Sequence, residues 1–258
     1  MLKFQVLFII PILLFLGCGG YESKEVFYVD KCGGKEYNTS TQFCENGNIK
    51  NIFHRCQDSN YDHSIQYCYD GVVKDKEIFA DERDGKTYKY VIIGEQTWMA
   101  ENLNYDAPNS RCYDDNPDNC EIFGKLYDWE TAKTVCPSGW HLPDDYDFTY
   151  LKNFVEATSR CSDCAGIVLK ANSALWVANK GTDEFGFTAL PGGYYREYTG
   201  GFNENKIVAG FWSATEGIEF GSVHFRYFKS INNSLNLAGF YIDRYRCFAN
   251  VRCIKDFI

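Results

Sequence analysis

The hydrophobic and polar positions divide the chain into three stretches with different patterns. A run that is apolar except for Gln5 covers residues 4–16, and polar, cysteine-rich sequence covers residues 31–75. From residue 85 onward, short apolar runs alternate with glycine, asparagine and aspartate turns. The first pattern is typical of a targeting segment, the second of small cross-linked units, and the third of a folded domain.

Two helices are predicted in the third stretch. Residues 126–136, LYDWETAKTVC, have apolar residues at helical spacing and are followed by Pro137 and Gly139, which end helices. A second helix is predicted to begin after Asp144, its N-cap, and to bury one face. That face consists of Phe148, Leu151, Phe154 and Val155.

Strands are predicted on both sides of the helices. After a turn at Asp84 and Gly85, alternation predicts a strand that has Tyr88, Tyr90 and Ile92 on one side. Beyond the second helix, the runs FGFTAL, GFWSA and SVHFRYF are separated by turn residues and predict further short strands. The predicted fold class is therefore α+β, with two helices packed on short antiparallel strands.

Residues 31–75 contain two copies of a unit that repeats with a period of 24 residues, and the matching parts are CGGKEYNTSTQFCENGNI and CQDSNYDHSIQYCYDGVV. So short a unit cannot bury enough apolar surface to fold unaided, and a disulfide is expected in each copy. The simplest pairing joins Cys32 to Cys44 and Cys56 to Cys68, each bond closing a hairpin. Zinc is the alternative for four evenly spaced cysteines, although the usual short ligand spacing is missing.

The remaining segments before the domain are predicted to connect these units. Residues 19–30 predict a short tether, and the two repeats predict a stalk or spacer. Residues 76–84 are charged and predict a linker. The folded domain is expected to cover residues 85–256.

The apolar run at residues 4–16 ends in Gly17 and Cys18. It is too short for a membrane-spanning helix, which needs about 20 residues, and has the length of a signal-peptide core. A small residue directly before cysteine resembles the lipobox of bacterial lipoproteins, in which cleavage precedes the cysteine and its thiol is lipidated. Residues 1–18 are therefore predicted to be a lipoprotein signal peptide, with Cys18 as the lipidation site. Plain secretion and an uncleaved membrane anchor are the alternatives.

Charge and cysteine content narrow the location and the partners. The predicted lipid would hold the protein in the bacterial cell envelope, at the outer membrane or the cell surface. The formal net charge of −9 argues against nucleic acid as a partner, because a protein that follows a phosphate backbone needs a basic surface. Twelve cysteines in an exported chain predict disulfide bonds. With Cys18 lipidated, eleven remain, and at least one is left over.

Six motifs in the third stretch occur in a characteristic order. They are DGKTYKYVIIGEQTWMAENLNY, CYDDNPDNCEIFGKLYDW, CPSGWHLP, DEFGFTALPGGYY, GFWSATE and VRCIKD. In this order, over about residues 84–256, they resemble the Fibrobacter succinogenes major paralogous domain (FISUMP). The resemblance implies a surface or secreted lipoprotein module with a C-type-lectin-like fold and no settled biochemical activity.

The lectin-like pattern also implies a disulfide bond between distant residues. WETAKTVCPSGWHLPDDYDFTYLKNFV is similar to that pattern, in which the cysteine at the end of the first helix bonds to a cysteine near the C-terminus. Here these residues are Cys136 and Cys253. This pairing argues against Cys136 as a nucleophile with His141 as its base, because a nucleophilic cysteine must be a free thiolate. Trp140 and Leu142 are then expected in the core.

Four further cysteines are disulfide candidates. Cys112 and Cys120 flank an acidic loop and predict a local bond. Cys161 and Cys164 form a C-x2-C pair, which predicts either a tight bond or an exchange with Cys247. The acidic loop lacks the usual calcium-loop order, and Ca2+ is considered there only as a weak alternative to a protein without cofactors. The aspartates concerned are Asp114, Asp115 and Asp118.

The glycine- and tyrosine-rich segment GGYYREYTGGFNENK predicts the contact surface. Loops held on a rigid scaffold carry function more often than the elements that they connect. The candidate contact residues are Tyr195, Arg196, Tyr198, Asn203 and Glu204. The Glu-Pro-Asn and Trp-Asn-Asp triplets of calcium-dependent sugar binding are absent, which argues against that mode of binding.

The predicted function is that of a non-catalytic binding or adhesion module. Its ligand is expected to be a polysaccharide or another surface protein, by analogy at the level of the fold. No catalytic residue and no metal ligand is assigned. An enzyme on the same scaffold, related to formylglycine-generating enzymes, and a purely structural envelope protein are the alternatives.

Labelling with a fatty-acid analogue tests the predicted lipid anchor. We expect the unchanged chain to incorporate the label in bacterial cells and Cys18→Ala to incorporate none, because the thiol of Cys18 is the predicted acceptor. Cys247→Ala is the control and should label normally. An unlabelled parent chain, or label that survives Cys18→Ala, contradicts the prediction.

Overall fold

The computed structural model describes the chain from residue 29 to residue 256 with gaps. The described ranges are 29–38, 42–45, 48–51, 61–62, 64–69, 72–197, 200–218, 222–231, 234–240 and 247–256. The predicted signal peptide, Cys18, most of the tether, Cys56 and Tyr198 lie outside them. The side chains of Cys32 and Cys44 are also outside what the structure describes.

The secondary structure consists of many short strands and a few helices. The strands, in chain order, are β1 (Val29–Cys32), β2 (Lys35–Asn38), β3 (Gln42–Glu45), β4 (Asn48–Asn51), β5 (Gln66–Tyr69), β6 (Val72–Asp75), β7 (Glu77–Ala80), β8 (Thr87–Ile93), β9 (Gln96–Met99), β10 (Ser110–Arg111), β11 (Leu126–Tyr127), β12 (Trp140–His141), β13 (Tyr194–Arg196), β14 (Gly201–Asn203), β15 (Val208–Glu216), β16 (Val223–Lys229), β17 (Leu235–Phe240), β18 (Cys247–Asn250) and β19 (Ile254–Lys255). The helices are α1 (Pro117–Phe123), α2 (Trp129–Ala132), α3 (Asp145–Ser159) and α4 (Ala165–Leu169), and a 3-10 turn covers Tyr113–Asp115. The predicted α+β class is confirmed.

Two sheets form the framework of the domain. The larger contains eight strands in the order β10-β11-β18-β15-β16-β17, and β13 and β14 are attached to it through β18. The smaller contains five strands in the order β12-β19-β9-β8-β7. Strand β18 belongs to the larger sheet and β19 to the smaller, so the chain segment between them links the two sheets.

Arg252 lies in this linking segment and is almost completely buried. Its guanidinium donates a 3.0 Å hydrogen bond to Oδ1 of Asn102, a 3.2 Å bond to the backbone oxygen of Met99, and a further bond to the backbone oxygen of Phe187. Burial lowers the pKa of Arg252 to about 9, which still leaves the group charged at neutral pH. The hydrogen bonds compensate this buried charge and fix the crossing between the sheets.

The smaller sheet separates two hydrophobic cores. Val91 and Trp98 point into the first core, where they meet α3 and α4. Tyr88 and Met99 point into the second core, which also contains three further tryptophans. This division follows from the alternation of side chains along β8 and β9. Ile92, predicted on the same side of the strand as Tyr88, is 54% exposed because the second core does not reach that end of β8.

Only the second of the two predicted helices forms over the residues predicted for it. Helix α3 begins after Asp144, whose side chain accepts hydrogen bonds from two backbone N–H groups in a capping box, and it buries Phe148, Leu151 and Val155. The predicted helix over residues 126–136 is wrong, because residues 126–127 pair with β10 and β18 and leave α2 only four residues long. Within the described ranges, no helix is both long and apolar enough to cross a membrane.

Residues 76–84, predicted to be a linker, are part of the domain. Strand β7 pairs with β8 along its length and forms an edge of the smaller sheet. The ring of Phe79 stacks on that of Trp140 with a centroid separation of 4.5 Å. The linker prediction is wrong. The charged residues of this segment suggested a linker, but residues 77–80 form a strand, and Phe79 in it packs against the second core.

A buried ion pair also fixes this segment. The side chains of Lys76 and Asp183 are each 2% exposed, and Nζ lies 3.7 Å from Oδ2. The hydroxyl of Thr188 accepts a 2.7 Å hydrogen bond from Lys76 and donates one of 2.7 Å to Asp183. Burial lowers the pKa of Lys76 and raises that of Asp183 to about 6. Each charge therefore depends on the other for its compensation.

The second cysteine-rich repeat contacts the domain instead of standing apart as a spacer. Its β5–β6 hairpin buries Tyr67 and Cys68, and Tyr67 belongs to the first core. Gly186 has φ +68° and lies against Tyr67, whose Cβ would be 2.7 Å from a Cβ added to the glycine. Cys68 is disulfide-bonded. The turn of this hairpin follows Cys68, and the segment between Cys56 and Cys68, where a hairpin is predicted, lies partly outside the described residues.

Three disulfide bonds lie in the domain. They join Cys112 to Cys120, Cys136 to Cys253 and Cys161 to Cys164. The second closes a sequence separation of 117 residues, a loop for which chain entropy suggests roughly 4.7 kcal/mol of stabilisation. Cys247 keeps a buried thiol, and Trp140 and Leu142 are buried beside the second bond.

Replacing Lys76 tests whether the segment before the family motifs is part of the folding unit. Lys76→Met should lower the free energy of unfolding at pH 7 by about 3–5 kcal/mol, because it leaves Asp183 buried without a counter-charge. The loss should shrink as pH falls toward 6, because removal of the Lys76 charge raises the pKa of Asp183 above its parent value of about 6 and the variant therefore binds the proton first. Below pH 6 the Asp183 carboxyl is protonated in both proteins, and the difference should level off. Urea unfolding measures both effects.

The matched control for this substitution is Lys180→Met, which replaces an exposed lysine. Its unfolding free energy should stay within about 0.5 kcal/mol of that of the parent chain. Equal stabilities for Lys76→Met and Lys180→Met would show that the buried ion pair contributes nothing to the fold.

Candidate functional site

Three aromatic side chains form a row across β14, β13 and β18. Tyr195 in the central strand is paired directly with Phe202 on one side and with Phe248 on the other. Directly paired residues point to the same face of a sheet, so the three rings are neighbours. The ring centroid of Tyr195 lies 5.0 Å from that of Phe202 and 5.6 Å from that of Phe248. We call Phe202, Tyr195 and Phe248 the aromatic row.

Arg111 extends from β10 onto this row. Its guanidinium carbon is 4.0 Å from the centroid of the Tyr195 ring, 5.1 Å from that of Phe202 and 5.3 Å from that of Phe248. An ion pair of 3.1 Å with Asp115 orients the same guanidinium. All three rings are half-buried. The row therefore presents an amphipathic surface with one oriented cation.

The opposite face of the same strands covers a narrow cavity. Its lining includes two members of the row and consists of Tyr194, Tyr195, Arg196, Trp212, Phe225, Cys247, Phe248 and Ala249. Its volume is about 10 Å3, which suffices for one water molecule. Burial and the nearby Glu204 carboxylate raise the pKa of Tyr194. A cavity of this size excludes any larger ligand, which must contact the row and the hairpin from outside.

The predicted contact residues do not share one surface. Tyr195 lies in the aromatic row, while Arg196 and Asn203 belong to the other face because side chains alternate along a strand. Glu204 follows β14 in a left-handed conformation with φ 55°. Arg111, Phe202 and Phe248 were missed, since strand pairing between distant segments cannot be read from local patterns.

A second polar cluster surrounds the first residue of α3. The carboxylate of Asp145 accepts hydrogen bonds from the Ser213 hydroxyl at 2.9 Å and from Nε of Arg226 at 3.1 Å, and it also contacts Nδ1 of His224. Burial raises the pKa of Asp145. The hydrogen bonds of His224 and Ser213 and the charge of Arg226 lower it by more than burial raises it. The net pKa lies below its usual value, and the carboxylate stays ionised.

The Asp145 cluster differs from a hydrolytic triad. In a triad, the serine hydroxyl bonds to the histidine, which activates it as a nucleophile. Here Ser213 donates to Asp145 and is completely buried. The other candidate base, His141, bonds through Nδ1 to Asp256 at 2.6 Å, while Cys136 is in a disulfide. The geometry supports a structural clamp between α3 and the larger sheet.

The acidic loop considered for Ca2+ has a different arrangement. Asp115 pairs with Arg111, and Asp118 follows the N-cap of α1. Over the described ranges, no three histidine, cysteine, aspartate or glutamate side chains converge as a metal site would require.

Comparison with known families decides the relationship of the chain. The family model described as the Fibrobacter succinogenes major domain matches residues 91–255. The chain belongs to this family. No curated protein and no solved structure matches it. The major domain contains Arg111, the aromatic row and the Asp145 cluster, whereas β7 and the buried Lys76 precede its matched range.

The lowered pKa of Asp145 predicts how this part of the major domain responds to acid. A carboxyl with a depressed folded-state pKa contributes stability above its unfolded pKa, which is about 3.9, and loses that contribution as pH falls through the folded-state value. Asp145→Asn should therefore be less stable than the parent at pH 6, with a shallower loss of stability between about pH 5 and pH 2. Urea unfolding at several pH values measures this.

Asp118→Asn, which changes an exposed aspartate, is the control and should preserve the parent's acid response. A variant at position 145 whose stability fell with acid as steeply as that of the parent would argue against the clamp.

Proposed function

We propose that this chain is a non-catalytic, lipid-anchored protein of the bacterial outer membrane or cell surface, and that it binds polysaccharide. The observation that carries the proposal is the aromatic row with Arg111 across it. Polysaccharides present apolar C–H faces and many hydroxyl groups. Half-exposed rings can stack on the former, while a guanidinium and the polar edge of the hairpin can hydrogen-bond to the latter.

The proposed domain has a C-type-lectin-like fold. Support comes from helix α3 packed on short, mainly antiparallel strands, and from the Cys136–Cys253 bond that joins the helical region to the C-terminal strand. In such a scaffold, loops and hairpins on a rigid core provide the contacts. The β13–β14 hairpin with the neighbouring β18 is the contact surface that we propose.

An enzyme on this scaffold is the second candidate function. The contact between Asp145 and His224 favours it, because a carboxylate that orients a histidine is a common part of acid–base catalysis. The donor–acceptor pattern of Ser213 argues for the binding module instead. A surface protein as ligand and a purely structural role are the remaining outcomes of the test.

Binding to an array of plant and bacterial polysaccharides tests the proposed function. The full chain in detergent should bind at least one polysaccharide, and Tyr195→Ala should weaken that binding about tenfold, because truncating a central aromatic contact costs about 1–2 kcal/mol. The array is measured once with Ca2+ and once with EDTA, to test whether binding requires Ca2+ in the acidic loop. We expect equal binding under the two conditions.

Tyr105→Ala is the matched control, because Tyr105 also lies under an arginine, with the Arg83 guanidinium 3.9 Å from its ring. It should bind polysaccharide normally. An array without any bound polysaccharide contradicts the proposed function, and hydrolysis of a bound polysaccharide that His224→Gln abolishes would support the enzyme instead.

A further inference from the structure

Helix α3 carries a second aromatic surface that the sequence analysis did not assign to any function. Tyr146, Tyr150 and Phe154 are spaced by four residues, which places them on one side of the helix at intervals of about 6 Å along its axis. Together with Thr149 and Asn153 they line a groove of about 320 Å3. We call these five residues the α3 groove. Its volume falls in the range of small-molecule sites, roughly 300–1,000 Å3.

Two rings of the α3 groove are held in place before any ligand arrives. Tyr150 and Phe154 stack with an interplanar angle of 11° and a centroid separation of 6.2 Å. The backbone N–H of Glu95 donates a 3.2 Å hydrogen bond to the Tyr150 hydroxyl. Gly94, with φ +65°, lies so close that an added Cβ would be 2.8 Å from that hydroxyl and 2.9 Å from the Phe154 ring. The β8–β9 turn therefore orients this part of the groove, which lowers the entropic cost of binding.

The remaining members of the groove are open to solvent. Tyr146 is 76% exposed. Among the described residues, it is the one aromatic in the set of large hydrophobic side chains that are exposed. Thr149 and Asn153 are exposed beside the rings. The ring of Tyr146 is therefore accessible to a ligand from outside. The groove thus combines two fixed rings with one accessible ring and an exposed amide.

The charge of the groove selects the kind of ligand. All five lining residues are uncharged, although the chain has a formal net charge of −9. The neighbouring charges of α3 have partners of their own, since Lys152 pairs with Glu156 at 2.7 Å and Asp145 is bound by Arg226. An ionic ligand would find no counter-charge on the lining. A neutral ligand with an apolar face and a polar rim matches it.

We propose that the α3 groove is a second polysaccharide site, specific for neutral sugars. Successive sugar rings of one chain stack on Tyr146, Tyr150 and Phe154, and the Asn153 amide hydrogen-bonds to their hydroxyl groups. This inference rests on the proposed function, and it adds a ligand class and a second contact point. Two sites on one domain would raise the avidity for a long polymer above that for a short oligosaccharide.

Calorimetric titration of the full chain in detergent tests the inference. The probes are cellohexaose, xylohexaose and mannohexaose as neutral oligosaccharides, and polygalacturonate as a charged one. At least one neutral hexasaccharide should bind at two sites per chain. Tyr146→Ala and Asn153→Ala should each remove one of these sites or weaken it at least fivefold, while Tyr195→Ala should leave the α3 site intact. Tyr146 is exposed, so its replacement should leave the unfolding transition unchanged.

The outcomes separate this inference from the proposed function. Neutral-sugar binding that Tyr195→Ala abolishes and Tyr146→Ala leaves unchanged would overturn the α3 site but preserve the proposed function. Binding that depends only on Tyr146 and Asn153 would support the α3 site and overturn the aromatic row. Binding of polygalacturonate alone overturns the neutral ligand class, and a chain that binds none of the four probes overturns the α3 site.

Discussion

The whole domain depends on one stretch of chain, residues 250–254, which passes from the larger sheet to the smaller. Arg252 places a full charge where the two sheets meet, and it donates hydrogen bonds to the side chain of Asn102 and to the backbone oxygens of Met99 and Phe187, which compensate that charge. The next residue, Cys253, is covalently tied to Cys136. A polar and a covalent constraint on adjacent residues therefore fix the relative position of both sheets. The aromatic row is connected to this crossing through β18, which leads directly into it.

Local chemistry allowed part of this fold to be predicted. Asp144 was recognised as an N-cap because capping requires only a few adjacent residues, and the bond between Cys136 and Cys253 followed from resemblance to a known pattern. The predicted helix over residues 126–136 failed where pairing with β18, more than a hundred residues away, overrode helical spacing. The same limit hid the aromatic row. Tyr195 was visible in a tyrosine-rich segment, but its neighbours Arg111 and Phe248 are brought there only by the sheet.

The two aromatic surfaces differ in the physical property that would select a ligand. The aromatic row carries a guanidinium held by Asp115 and three rings, so charge and apolar area act together there. The α3 groove has no charge on its lining and relies on shape, stacking and amide contacts. The Asp145 cluster holds α3 against the larger sheet.

The buried ion pair between Lys76 and Asp183 has a practical consequence for anyone who expresses this protein in pieces. The family match starts at residue 91, inside β8. A fragment that begins at that point would lack β7, and Trp140 would lose Phe79, its stacking partner. It would also lack Lys76, which leaves the carboxylate of Asp183 buried without its counter-charge. The smallest autonomous unit therefore begins upstream of the recognisable homology, and cloning boundaries should be drawn from side-chain burial.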